Sequence, residues 1–415
     1  MSVLGGSFSN PLAAHVRRVR VTAFYFLEAS LWTISNVLLA LFLAHTASTS
    51  DFGSISATYL AMSFSQQAAQ AYFNDGEVSQ ALVGSRVPLD RRHVGGGAIF
   101  GIGGAPITLV VGLATGCQVS IVLVFVVAGP WLISQDQQRF AALRQDRFAT
   151  AIGAQVVWVS SFLLAGALMY QTGMRTPLDA VIAWTLSGLC AFAFCCRIAS
   201  LQPFPVSRSF AGIRQTARKG IPLVLEHSAV FLSQFGLVIF LAAAISTDKA
   251  AAYRGAQTLA VFASVAATAF RFMALRYSAS HSMSGHWART GLILALSGAA
   301  FAFALGLPIL AIPYRLGSAL LGTLWLPSMA LFPIVLVHKA ATAATLGYIA
   351  VGRKMLPVRD VIGARSWLSA LSATAAAAVA ATFGTLAAVC TLVGGSLLLC
   401  LVLHRQLNIA QRSSP

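Results

Sequence analysis

Glu28 lies in the run FLEASLWTISNVLLALFLA (residues 26–44), which is otherwise apolar enough for a lipid bilayer. A carboxylate in such a run has two chemical uses. It can take up a proton or cation and so couple or gate a movement, or it can neutralise an arginine of a neighbouring loop. The pattern returns 198 residues later as VLEHSAVFLSQFGLVIFLA (224–242), with Glu226 at the matching place. A third charge, Lys339, stands near the middle of LVHKAATAATLGY (336–348). At that depth a lysine costs about 2.5–3.5 kcal/mol on insertion scales, so it must face protein or water. It either holds an anion such as a phosphate in a cavity or partners a buried carboxylate. Finally, Tyr59, Ser63, Gln66, Gln70 and Asn74 recur at intervals of 4, 3, 4 and 4 residues, which puts five polar groups on one helical face. Lipid cannot satisfy them, so they either bond across helices or line a wet cavity.

The elements that carry these residues follow from composition. Hydrophobic residues make up 57% of the 415 and charged residues 9%, with a mean hydropathy of +0.78. Soluble domains carry roughly 25% charged residues, so the chain is an all-α polytopic membrane protein. Runs of about 20 apolar residues predict twelve spans, near 21–45, 51–73, 95–115, 118–137, 150–171, 177–199, 221–245, 250–275, 290–311, 326–351, 366–384 and 386–404. The first lacks a small-residue cleavage site and is expected to remain as a span.

The net charge of +17 is explained by topology. With a cytoplasmic N-terminus, 23 of the 28 Lys and Arg fall on inside segments, Arg139, Arg271, Arg353 and Arg365 among them. Such a skew is the positive-inside pattern; it predicts that both termini are cytoplasmic and requires no nucleic-acid partner. The six cysteines show no CxxC or His-paired spacing, so no metal is expected. No P-loop, kinase set, GxSxG or HExxH appears, and the outside loops are short, so neither enzyme chemistry nor a cofactor is predicted. The glycines of HVGGGAIFGIGG (93–104) open an apolar span and are read as close helix packing.

Aligning 27–44 on 225–242 matches 8 of 18 residues without a gap, including Glu28 with Glu226, Ser30 with Ser228 and Ser35 with Ser233. Six spans per half means both halves enter the membrane in the same direction. This predicts two parallel six-helix bundles, residues 1–205 and 206–415, around a central cavity. Positions seven and eight beyond each glutamate return to within roughly 20° and 80° of its direction, so Ser35 and Asn36 share a side with Glu28, and Ser233 and Gln234 with Glu226.

Two stretches resemble the polysaccharide flippase branch of the multidrug/oligosaccharidyl-lipid/polysaccharide exporter superfamily. SQDQQRFAALRQDRFATAIGAQVVW (134–158) is similar to that family's connection between spans four and five. GIPLVLEHSAVFLSQFGLVIFLAAAISTDKAAAYRGAQTLA (220–260) resembles the start of its second half. The resemblance implies a flippase that moves a lipid-diphosphate-linked oligosaccharide by alternating access for surface polysaccharide synthesis, in a bacterial cytoplasmic membrane. Lys339, Arg254 and Arg271 would then be cations for the diphosphate, with Gln66, Gln70 and Tyr59 beside the substrate and Glu28 and Glu226 as coupling or gating groups. Arg271 is equally explained as an inside anchor, and Arg254 as an exposed residue at the outer end of its helix. Glycosyltransferases or a polymerase of the same pathway would be partners, beside the lipid bilayer itself. The alternatives are a cation-coupled drug or metabolite antiporter of the same superfamily and a non-transporting scaffold of a glycan assembly complex.

Overall fold

The computed structural model describes residues 11–73, 92–145, 147–198, 206–280 and 286–413, and among these all regular structure is helical. The first six helices are α1 (Pro11–Thr46), α2 (Thr49–Phe73), α3 (Arg92–Ala114), α4 (Val119–Arg144), α5 (Phe148–Thr172) and α6 (Pro177–Ile198). Next comes α7, which runs from Val206 to Phe231 and continues through π turns at Leu232–Gly236 and Leu241–Ile245. The rest are α8 (Thr247–Leu259), α9 (Val261–Ser280), α10 (Trp287–Gly306), a short α11 (Tyr314–Leu321), α12 (Trp325–Met355), α13 (Val358–Phe383) and α14 (Thr385–Ser413).

Among the described residues, ten stretches are long and apolar enough to cross a membrane. The two expected spans outside that set are α2 and the α8–α9 pair, and each has a physical reason. The polar stripe dilutes the hydropathy of α2. The eighth span is interrupted at Ala260 (φ −76°, ψ 9°), although the Ala260 N–H still donates to the Ala256 carbonyl at 3.0 Å. Side chains such as Val127, Leu164 and Leu401 are more than 60% exposed on the outer surface, as contact with hydrocarbon requires.

Helix ends differ from the apolar runs where helix propensity outlasts hydropathy. Span four, expected to stop at 137, continues to Arg144 through Gln, Arg, Ala and Leu, all good helix formers. Span eleven starts at Val358, eight residues before its apolar run, directly after Pro357. The start of α2 is set by a capping box, in which Ser48 Oγ accepts from the Asp51 N–H at 3.1 Å and donates to Asp51 Oδ2 at 2.6 Å. Ser246, 198 residues on, caps α8 by accepting from the Lys249 N–H.

Helices α1–α6 pack on one another and α7–α14 on one another. The expected boundary at 205/206 adjoins residues 199–205, which lie outside those described. Across the seam, α2 runs beside α7 and α8, while α1 meets α9. Two bonds reveal the internal repeat. Tyr59 Oη donates to Asn36 Oδ1 at 2.8 Å, and Gln257 Nε2 donates to the Gln234 carbonyl at 2.7 Å, so positions 36 and 59 of one half correspond to 234 and 257 of the other.

The arginine-bearing ends of the helices define a basic end, and the opposite end is held shut across the seam. There Ser50 and Thr247 share a 2.7 Å hydroxyl bond, and His45 Nε2 lies 3.0 Å from the Ala319 carbonyl. Gly53 permits this approach, because a Cβ at that position would lie 2.0 Å from the Thr247 carbonyl oxygen. Further along the seam Phe64 meets Phe231 edge-on, and at the basic end Tyr72 Oη donates to the Ile213 carbonyl at 2.5 Å.

Candidate functional site

Each glutamate is sealed inside its own half and paired. In the first half, Arg139 Nη1 donates to Glu28 Oε1 at 3.0 Å, while its Nη2 lies 2.8 Å from Asp136 Oδ1. Gln70 Nε2 donates to the other Asp136 oxygen at 2.7 Å, and the Arg139 guanidinium lies 5.1 Å from the centre of the Trp32 ring. In the second half, Arg365 Nη1 donates to Glu226 Oε1 at 2.6 Å and Arg353 Nη2 lies 3.3 Å from the same oxygen. In both halves the partner includes an arginine from the basic end of the half's fourth span. Burial without such partners would cost several kcal/mol per charge, so the pairs are a condition of placing these groups in the interior.

The pairing with arginines, one of the two sequence-level alternatives, is what the geometry contains. The arginines themselves are a correction. The positive-inside count places Arg139 and Arg365 on inside segments, and both turn inward, 4% and 7% exposed. The run Ser134-Gln135-Asp136-Gln137-Gln138-Arg139 is buried throughout, with exposures from 0 to 4%. Six consecutive polar residues continuing an apolar helix were the signal available for Asp136 and Arg139.

The cations expected to meet substrate lie on the seam. Lys339 is 6% exposed, with its ammonium 5.1 Å from the centre of the Phe235 ring. Arg254, two turns into α8 rather than at its exposed end, is half-buried, with its guanidinium 5.8 Å from the centre of the Tyr59 ring. Among the described residues neither makes a hydrogen bond or ion pair with a protein group. Of the two alternatives for Lys339, partnership with a buried carboxylate is therefore not present here. Two aromatic faces, one from each half, are the nearest compensation. Arg271 lies on α9, but its side chain is outside those described.

The polar stripe of α2 is packed in this conformation. Tyr59, Ser63 and Gln66 are each under 10% exposed and Gln70 is half-buried, with Tyr59 and Gln70 bonded to Asn36 and Asp136 as above. Asn74 lies outside the described residues. The stripe therefore joins the ion-pair cluster of the first half to the aromatic edge of the seam. Among the described residues no group of three or more His, Cys, Asp or Glu is arranged to hold a metal.

This helical architecture is similar to that of several solved transporters of the MOP superfamily. An inward-facing multidrug resistance MATE family transporter of that superfamily superimposes with a TM-score of 0.62 at 13% identity, over 92% of this chain and 96% of the other. A MOP superfamily transporter from Pyrococcus furiosus, described as having a binding pocket of reversed polarity, gives 0.58 at 11% identity over 95% of each chain. The eukaryotic MATE transporter AtDTX14 gives 0.55 at 14% identity over 96% and 99%. At these identities the likeness is one of fold. No family model matches the chain, and no curated protein matches it.

Proposed function

We propose that the protein is a multi-pass membrane transporter working by alternating access, and that its substrate carries an anionic group bound between Lys339 and Arg254. A lipid-diphosphate-linked oligosaccharide is the substrate class that fits best. The observation that carries this reading is the pair of cations on the seam, buried or half-buried and without a counter-ion among the described residues. Fixed cations in a low-dielectric site attract a diphosphate strongly, and leaving them empty is costly enough to need a functional reason. The seam is also where two rigid halves would rock against each other. With the basic end cytoplasmic, as the arginine distribution favours, the closure at Ser50 and Thr247 lies on the outer side and the substrate would enter from inside.

The test is transport in proteoliposomes of a lipid-linked oligosaccharide, with protein level measured beside it. Lys339→Arg is expected to retain part of the flux, because the charge remains, and Lys339→Met and Lys339→Glu to lose it. A well-inserted Lys339→Met with full flux would remove the anionic-substrate reading and leave the fold alone.

A second reading, cation-coupled exchange, draws on the first half, where two carboxylates share one guanidinium. In that case Glu28→Gln would abolish flux while Lys339→Met spared it.

A further inference from the structure

Tyr59 is held as a fixed plate inside the first half. Its Oη donates to Asn36 Oδ1 at 2.8 Å, its ring forms a T with the Trp184 ring at 5.7 Å between centres, and the Phe125 ring is tilted against it at 6.1 Å. The cation over this plate comes from the other half. Arg254, on α8, sets its guanidinium 5.8 Å from the ring centre. Helices α2 and α8 run side by side from the closed end at Ser50 and Thr247. Tyr59 stands six residues beyond Gly53 and Arg254 seven beyond Thr247, so their contact crosses the seam about 10 Å inward of the closure. Lys339 belongs to the same half as Arg254, and Arg254 is the charge that acts on it. Two like charges repel, which favours the guanidinium lying away from Lys339, on the ring of the first half.

We infer that Tyr59 is a latch on the seam, holding Arg254 across the two halves until a diphosphate draws the guanidinium back toward Lys339. This rests on the anionic-substrate reading above and adds how binding is coupled to movement. An anion bridging the two cations cancels their repulsion and accepts charge-assisted hydrogen bonds, which are stronger than a ring face at this distance. Arg254 is then satisfied wholly within the second half, and the seam loses a contact. A ligand shifts an equilibrium only by its differential affinity for the two states, and the difference here is the ring contact that the closed state must give up. The substrate thus loosens the outer closure from within. Tyr59 acts through Arg254, which makes it a positioning residue.

The experiment uses the full-length protein in detergent, with its six cysteines replaced and Ala57→Cys added as a reporter. Ala57 is fully buried one turn beyond Gly53 on the same face of α2, so a water-soluble maleimide reaches it only when the α2–α8 seam parts. Inorganic pyrophosphate is the probe, and it is expected to raise the labelling rate about fivefold. Tyr59→Leu should raise the rate by the same factor without pyrophosphate and show no further rise with it, while Tyr59→Phe, which keeps the ring face, should behave like the parent. If pyrophosphate still multiplies the rate in Tyr59→Leu, the residue only packs and the latch is overturned. Should Tyr59→Leu fail to fold, Arg254→Gln empties the same contact from the other side and must raise the ligand-free rate equally; an unchanged rate overturns the latch. Calorimetry of pyrophosphate on the parent and on Lys339→Met separates the two levels of the argument. Binding that needs Lys339 but leaves labelling unchanged or slower overturns the latch alone, whereas no binding to the parent removes the anionic-substrate reading and the latch with it.

Discussion

The two halves begin from the same pattern and surround it with different partners. In the first, Glu28 and Asp136 face a single guanidinium, Arg139. In the second, Glu226 faces two, Arg353 and Arg365. The matching glutamates thus occupy unlike environments, one with a second carboxylate beside its guanidinium and one with a second guanidinium beside its carboxylate. The duplicated residue explains where each cluster sits. Its neighbours, on the fourth span in the first half and on the fourth and fifth spans in the second, decide which partners surround it.

The sharpest way to break this comparison is to remove the same atom from both halves. Glu226→Gln leaves one buried and one half-buried guanidinium facing an amide and is expected to destabilise by about 3–5 kcal/mol. Glu28→Gln leaves the Asp136–Arg139 pair balanced and is expected to cost about 1 kcal/mol, the scale of one lost net hydrogen bond. Unfolding temperature in a fixed detergent reads both, and equal losses would show that the charge asymmetry is energetically idle.

Within the second half the two arginines can be ranked. Arg365→Met removes the 2.6 Å bond from a side chain 8% exposed, and should cost several times more than Arg353→Met, whose side chain is 15% exposed and whose contact is 3.3 Å. The expected values are about 3 kcal/mol and about 1 kcal/mol. The reverse order would mean that Arg353, not Arg365, anchors the carboxylate.

A smaller effect is expected at the seam. Gly53→Ala places a methyl 2.0 Å from the Thr247 carbonyl, so the closed end must open or shift at a cost of about 1–3 kcal/mol. In a cysteine-free background, Ser50→Cys with Thr247→Cys should form a disulfide readily, and adding Gly53→Ala should slow it several-fold. An unchanged rate would mean that this end is not held by close packing.

The smallest effect compares the repeat-related bonds. Tyr59→Phe removes its bond to Asn36, and Gln257→Leu removes its bond to the Gln234 carbonyl. Each is expected to cost about 1 kcal/mol, and the two losses to add, because the bonds share no partner.

The sequence by itself determined the helical class, the number and approximate limits of the spans and the repeat, because hydrocarbon allows few solutions. A chain this apolar must bond its backbone internally, and a span must be about 20 residues long. It also marked Glu28, Glu226 and Lys339 as residues needing a reason, since a charge in an apolar run stands out whatever surrounds it. It did not reveal that Arg139 and Arg365 are interior partners, because an arginine at the end of an apolar run reads the same whether it reaches water or turns inward. Nor could it show Arg254 over Tyr59, since this depends on helices distant in the chain meeting at a particular rotation. Periodicity specifies which residues share a face of one helix. Which face meets which neighbour, and so whether a buried charge is paired, shared or left for a ligand, was decided only by the packing of the whole molecule.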